Sequence, residues 1–399
     1  MAERVVVTGV GIVSALGAGV DATFRSLRNG ESGVGEIVHL DTGHDEFPVG
    51  EVAMSNREMA LSLGVGYPSD GLRTVLLGIM AAREAVASAG LTVCDVRKSA
   101  FVSGTTVGGM DNTERHFAEA FDSGAESGSS HELVYNDCGC STRLIAEATG
   151  DFLMMTTTST ACSSAANAII LGANMIKAGI VDIAVVGGSE ALTRFHLNGF
   201  NTLMILDRER CRPFDRDRTG INLGEGAAYI VLESERSAKT RGSEVLAALT
   251  GYANSCDAFH QTASSENGEG AYLAMCKAMD MAGLTPGDID YVNAHGTGTP
   301  NNDATELAAM RRIWKDSLPC FSSTKAFTGH TTSASGSIEA VICVLSLIHD
   351  FMPENIGWVN PMGEGAVPVT GAAAGRRVRN VINNSFGFGG NDSTLIFSK

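Results

Sequence analysis

"LLGIMAAREAVASAGLTVCDVRKSAFVSGTTVGG", residues 76–109, and "AYLAMCKAMDMAGLTPGDIDYVNAHGTGTP", residues 271–300, carry the same elements in the same order. In the first, a helical pattern ends at Ala89-Gly90-Leu91, a short link leads to the strand-like Phe101 to Ser103, and a Gly-Thr turn follows. In the second, the helix ends at Ala282-Gly283-Leu284, Tyr291 to Ala294 reads as the strand, and another Gly-Thr turn closes it. Glycine just past an apolar-periodic run stops a helix, and a short β-branched or aromatic run bounded by turn residues is a strand. The repeat predicts one α/β unit present twice.

The duplication continues downstream. "TSTACSSAANAIILGANMIKAG" (158–179) corresponds in layout to "FTGHTTSASGSIEAVICVLSLIHD" (327–350): a polar turn, one reactive residue, a run of Ser, Ala and Gly, then an apolar helix. Each half closes with a glycine turn into strands, "GINLGEGAAYIVLESE" (220–235) and "NNSFGFGGNDSTLIFSK" (383–399). Helices apolar on nearly every face are covered on every face, which places them between sheets. "SERSAKTRGSE" (234–244) is polar and lies between the copies, so the halves are placed at 1–242 and 243–399. "RVVVTGVGIVSALG" (4–17) reads as a buried strand, a glycine turn and a helix. Its Gly9-x-Gly11 is followed by Ser14 where a dinucleotide fingerprint needs a third glycine, which leaves only a weak likeness to that fold.

Composition narrows the function classes. The 399 residues are 44% hydrophobic and 19% charged, an ordinary globular balance. A formal net charge of −16 repels nucleic acid and anionic lipid, so neither a nucleic-acid nor a membrane role is expected. Apolar runs such as "AVICVLSLI" (340–348) are shorter than the roughly 20 residues that span a bilayer, and no basic region with an apolar stretch opens the chain. A cytoplasmic location is the expectation. The nine cysteines are an odd number without a C-x-x-C pair, which predicts free thiols. Cys138 and Cys140 form a C-x-C with no second ligand pair at zinc spacing, so no metal is expected. In "LDRERCRPFDRDR" (206–218) the arginines alternate with Asp207, Glu209, Asp215 and Asp217, the pattern of a self-neutralising structural loop.

The chemistry centres on Cys162. It lies between a threonine-rich extended run and the start of a helix, where unpaired backbone N–H groups and the positive end of the macrodipole favour a thiolate. A lone cysteine in apolar surroundings is more often inert packing than chemistry. Under duplication Cys162 and His330 hold equivalent helix-start positions, and the layout predicts that they meet near a pseudo-twofold axis. A cysteine nucleophile needs a histidine or cation nearby and a pair of oxyanion donors. Three further turns offer them: "NAHGTGTPNND" with His295, "STKAFTGHTTSASGSIEA" with Lys325, His330 and Glu339, and the glycine loop from Gly387 to Gly390. Singly, each has an ordinary structural reading. Four such turns at strand ends of a duplicated chain form a constellation.

With "TACSSA", "RPFDRDRTGINLGEGAAYIVLE", "VNAHGTGTP", "STKAFTGH" and "NSFGFGG" in this order, the chain resembles a β-ketoacyl-[acyl-carrier-protein] synthase of the elongating, two-histidine type, from Val5 to Phe397. The resemblance implies an α/β thiolase fold, its duplicated halves stacked in five αβαβα layers. It implies that Cys162 carries the acyl chain, that His295 and His330 donate to the thioester oxygen, and that Lys325 and Glu339 form a buried pair beside them. The backbone N–H groups of Cys162 and Phe388 would form the oxyanion hole, Gly387, Phe388, Gly389 and Gly390 a gating loop, and Val107 part of the acyl pocket. The reaction needs neither cofactor nor metal. Its partners would be the acyl and malonyl forms of acyl carrier protein, in a homodimer or a heterodimer with a chain-length-factor homologue.

Three neighbouring functions fit less well. A degradative thiolase carries a second cysteine in the C-terminal glycine loop, and "SFGFGGND" has none. An initiating synthase places asparagine where His330 stands, and a non-catalytic chain-length factor lacks the nucleophile. The chain departs from the usual pattern at Asn301-Asn302, in the hydroxyl-rich "TGHTTSASG" and at Asn391-Asp392. None of these removes a catalytic group. They leave two pathways open, bulk fatty-acid elongation and a type II polyketide or aryl polyene route.

Overall fold

A computed structural model describes residues 3–123, 133–363, 366–371 and 373–399. Ten principal strands follow along the chain: β1 (Val5–Ser14), β2 (Ala100–Gly104), β3 (Met154–Thr158), β4 (Ile183–Glu190), β5 (Gly226–Ser234), β6 (Ala247–Cys256), β7 (Tyr291–Asn293), β8 (Cys320–Ser322), β9 (Asn380–Gly387) and β10 (Asn391–Ser398). Their order across the sheet is β8-β7-β9-β10-β6-β1-β5-β4-β2-β3, with the short strand Gly17–Ala18 beside β1. Read outward from the middle, one side runs first, fifth, fourth, second, third, and the other repeats that order five strands on. Directions repeat too: the two inner pairings of each side are antiparallel and the two outer ones parallel. The sides join where Val6 and Val7 of β1 pair with Ala248 and Ala247 of β6.

Six principal helices repeat in the same way: α1 (Arg73–Ser88), α2 (Cys138–Thr149) and α3 (Ser164–Lys177), then α4 (Glu269–Ala282), α5 (Pro300–Trp314) and α6 (Ser335–His349). Helices α3 and α6 pack on each other and on strands of both sides, α1 covers β1, β4 and β5, and α4 covers β6 and β10. The layers are therefore outer helices, strands, the α3–α6 pair, strands and outer helices. The central position explains the composition of α6, in which thirteen residues from Ser335 to Leu347 are all buried. The 18-residue stretch Thr332–His349 is long and apolar enough to cross a membrane, but 89% of it is buried inside the protein. The apolar run that looks short in the sequence is part of this core helix, covered by strands instead of lipid.

Two sequence expectations need correction. The glycines of the N-terminal motif do not form a turn; they lie inside a continuous ten-residue β1. A Cβ on Gly11 would stand 2.1 Å from the carbonyl oxygen of Ala81, and one on Gly9 2.6 Å from that of Ala85. Both glycines let α1 press its backbone against the strand. The arginine-rich loop does more than neutralise itself. Arg218 reaches Asp303 at 3.5 Å and donates to the carbonyls of Thr299 and Pro300, while Asp215 accepts from the backbone N–H groups of Val359 and Asn360. All nine cysteines are free thiols.

Gly11→Ala is therefore expected to destabilise the fold by about 2 kcal/mol, the order of an overpacked core. Chemical denaturation checks this, and an unchanged midpoint would show that α1 and β1 can separate without cost.

Candidate active site

Four turns converge between the two copies. The first follows β3 and ends in Cys162, two residues before α3 begins. Ala161 takes a left-handed φ of 53°, unfavourable for a residue with a side chain. The neighbouring Ser164 hydroxyl donates to the Ala161 carbonyl at 2.6 Å and accepts the Thr160 N–H at 2.9 Å, which pins the bend. Sharp turns of this kind present a side chain ahead of its helix. Cys162 is nonetheless buried.

The second turn supplies His330, whose Nε2 lies 3.0 Å from Cys162 Sγ. The two residues equivalent by layout thus touch across the pseudo-twofold. The His330 N–H donates to the Asn222 carbonyl at 2.7 Å, and its own carbonyl accepts from Gly224, so the loop before β5 clamps it from both sides. The third turn follows β7 and carries His295. Its N–H and that of Gly296 donate to the two oxygens of Glu306 at 2.9 and 2.8 Å, and Asn384 donates to the same carboxylate. The imidazoles of His295 and His330 meet edge to face, centroids 5.4 Å apart. Lys325, fully buried, lies 3.4 Å from His295 Nδ1 and 2.5 Å from Glu339 Oε1.

The fourth turn is the glycine loop after β9. A Cβ on Gly387 would stand 2.9 Å from the Thr160 carbonyl oxygen and 3.2 Å from the Cys162 nitrogen. Only a bare backbone comes this close, and it brings the Phe388 N–H to the cysteine. The backbone amides of Phe388 and of Cys162 itself lie beside the sulfur and favour its ionised form. Two convergent amides are the arrangement that stabilises an oxyanion. The Phe388 ring stacks on Phe200 at 5.8 Å, which holds the loop in place.

Burial decides the protonation states. It pushes the Cys162 thiol up to about 11, against the Lys325 charge and the two amides, which pull it down. The expected resting thiolate is therefore a correction: desolvation outweighs the helix end, and the resting group is a thiol. Burial, then the Lys325 charge, hold both histidines well below the ordinary imidazole value, so both are neutral at physiological pH. Burial raises the Glu339 carboxyl while the Lys325 ammonium opposes it.

A cavity of about 310 Å³ opens onto Cys162, His295 and His330. Its wall includes Thr297 and Thr299, the departing pair Asn301 and Asn302, and Gly387 to Gly390. Val107 does not line it: it is buried on the turn after β2, and its N–H donates to Glu190. Among the described residues no group of three or more metal-ligating side chains converges. Glu306, Asn222 and Phe200 were not singled out from the sequence. Glu306 alone left a trace, as an acidic residue one helical turn past the "NND" that follows His295, and such positions are usually solvated.

Comparison with known proteins points to one family. The family described as "Beta-ketoacyl synthase, N-terminal domain" matches residues 70–238, and "Beta-ketoacyl synthase, C-terminal domain" matches residues 246–358. The 3-oxoacyl-[acyl-carrier-protein] synthase 2 of Vibrio cholerae is 34% identical, covering 100% of this chain and 99% of its own. That of Staphylococcus aureus strain N315 is 32% identical over 100% and 98%. Among solved structures, a chain of the ishigamide ketosynthase/chain length factor superposes with a TM-score of 0.93 at 33% identity, covering 100% of both chains. The ketosynthase ApeO in complex with its chain length factor ApeC from Xenorhabdus doucetiae gives 0.87 at 30% identity, covering 99% and 98%.

The protonation states are open to test by alkylation with iodoacetamide, mapped to Cys162 by peptide mass. The rate is expected to climb with pH towards about 11, because only the thiolate reacts. Lys325→Met should move the inflection higher still, since it removes the charge that draws the thiol down. An inflection below 9.0 would contradict the dominance of burial.

Proposed function

This chain belongs to the β-ketoacyl synthase family, and from that premise we propose that it catalyses the decarboxylative Claisen condensation of an acyl chain with malonyl-acyl carrier protein. The observation that carries the reading is the contact of His330 with the Cys162 thiol at 3.0 Å, with the second histidine and a buried cation beside it. Such a pair can transfer a proton and then stabilise developing negative charge.

In the first stage the Cys162 thiol gives up its proton and attacks the thioester of an acyl-carrier protein. The tetrahedral oxyanion rests on the N–H groups of Cys162 and Phe388, and the carrier thiol departs. In the second stage malonyl-carrier protein brings its thioester carbonyl to His295 and His330. The C–C bond to the carboxylate breaks, CO2 leaves, and the electron pair becomes an enolate whose oxygen lies by the two neutral imidazoles. The enolate carbon attacks the acyl-Cys162 carbonyl, and the thiolate is expelled and takes up one proton from solvent. The product is a β-ketoacyl-carrier protein two carbons longer. Lys325 and Glu339 act on this stage as a buried pair that fixes the field around His330 and, through the Lys325 contact, around His295 as well.

The halves 1–242 and 243–399 divide this labour, the first bearing the nucleophile and the second both histidines. The carrier's thioester arm is assigned to the cavity above Cys162, whose volume is at the low end for small-molecule sites. Gly387 to Gly390 gate it, while Val107, on the turn after β2 and outside this cavity, is assigned to a separate acyl pocket. A second subunit is assigned to the outer edge of the sheet, where Leu153, Met154 and Met155 are exposed beside α2. An unpaired apolar edge strand calls for a cover.

A second reading concerns the pathway. The likeness to the ishigamide and ApeO ketosynthases, together with Asn301-Asn302 and Asn391-Asp392, favours a type II polyketide or polyene route with a chain-length-factor partner. Incubation with a panel of saturated and polyunsaturated acyl-carrier proteins, then malonyl-carrier protein, followed by intact mass, tests both levels. Cys162 is expected to gain the acyl mass and the product two carbons, and Cys162→Ala to do neither. Undiminished condensation by Cys162→Ala would overturn the nucleophile. Loading of saturated chains by the chain alone points to fatty-acid elongation; loading of unsaturated chains alone, or only with a partner subunit, points to the polyene route.

A further inference from the structure

Within the hydroxyl-rich departure "TTSASG", one hydroxyl touches the site. Ser335, the first residue of α6, is buried, five residues after His330 and four before Glu339. Its Oγ lies 3.3 Å from His330 Nδ1 and 3.2 Å from Glu339 Oε1. A hydroxyl has one proton to donate and lone pairs to accept with, while an ionised carboxylate only accepts and an ammonium only donates. The Ser335 proton therefore goes to Glu339, and its lone pair faces the His330 ring.

We propose that Ser335 is a positioning residue that sets the tautomer of His330 in the free enzyme, holding the ring proton on Nδ1 so that the Nε2 lone pair faces the Cys162 thiol. His295 is set the opposite way. Lys325 donates to its Nδ1 directly, which leaves the ring proton on Nε2. One ion pair thus writes two different tautomers, because the ammonium acts on one histidine directly and the carboxylate acts on the other through a hydroxyl. The assignment rests on the condensation reading and gives it a division of labour in acyl loading. The Sγ–H bond breaks and its proton moves to His330 Nε2, while the sulfur electron pair forms the new C–S bond. The departing carrier thiolate takes that proton back, so the tautomer set by Ser335 belongs to the free enzyme and to acyl loading; donation from His330 to the malonyl oxygen in the second stage follows a shift of the ring proton from Nδ1 to Nε2.

The test is nitrogen-15 NMR of histidine-labelled protein, with the His330 signals identified by their loss in His330→Asn. The expected wild-type signature is a protonated Nδ1 and an unprotonated Nε2 on His330, and Ser335→Ala should lose that preference. In the same variant acyl transfer from acyl-carrier protein to Cys162 is expected to slow roughly tenfold, more than malonyl decarboxylation slows. Ser335→Thr retains the hydroxyl and should restore the tautomer and the loading rate. A wild-type His330 protonated on Nε2 would overturn the proposal whatever the Ser335 variants do. So would a Ser335→Ala protein whose tautomer is unchanged, or whose loading and decarboxylation fall equally. The tautomer is read without substrate, so absent condensation with the Nδ1–H signature present would refute the function and leave the assignment standing.

Discussion

A lysine with no exposed surface, 2.5 Å from a buried glutamate, is the constraint around which the rest of the site is arranged. Removing one partner of such a pair leaves an uncompensated buried charge at a cost of about 3–5 kcal/mol. The pair is therefore weak support for the fold and strong support for a use. Its charge lies 3.4 Å from one catalytic-site imidazole and is among the influences holding down the other. With burial it keeps both rings neutral, so each has one nitrogen that donates and one that accepts. Two neutral imidazoles beside a nucleophile can receive a proton on one side and stabilise an oxygen on the other.

The same burial that keeps the histidines neutral keeps Cys162 protonated. A thiolate waiting at a helix start needs its charge compensated, and at Cys162 burial outweighs the Lys325 charge. Beside it lie an imidazole at 3.0 Å and two backbone amides that favour the ionised form. On the proposed reading the nucleophile is generated during the reaction, beside the Phe388 amide that the glycine loop delivers.

The sequence carried the architecture further than the protonation chemistry. Duplication was legible because the helix stop, the strand and the Gly-Thr turn recur in fixed order, and the repeated strand order 1-5-4-2-3 is its three-dimensional consequence. The approach of Cys162 and His330 was legible for the same reason: equivalent positions of a twofold duplication meet at its axis. Other features depend on distances that no periodicity encodes. Gly9 and Gly11 read as a turn because their partner, the α1 backbone, lies some 70 residues away, as the Val10–Ser88 contact at a separation of 78 illustrates. Glu306 holds the His295 loop from a helix face that a sequence reading assigns to solvent. The thiol state of Cys162 reflects a contest between desolvation and the helix end, which only the degree of burial decides. Ser335 was visible only as one of several hydroxyls, because its partners are fixed by the geometry at the start of α6.

The most direct measurement separates the two stages by removing the nucleophile. On the proposed reading Cys162→Ala cannot hold an acyl chain, yet it retains His295, His330 and Lys325 around the proposed position of the malonyl thioester. Release of CO2 from malonyl-carrier protein, with acetyl-carrier protein formed as the enolate takes up a proton, is the predicted result. Adding Lys325→Ala to that variant should lower the release about a hundredfold or more. If Cys162→Ala releases no CO2, or if the double variant releases it as fast as the single one, the buried pair does not govern the histidines and the account fails.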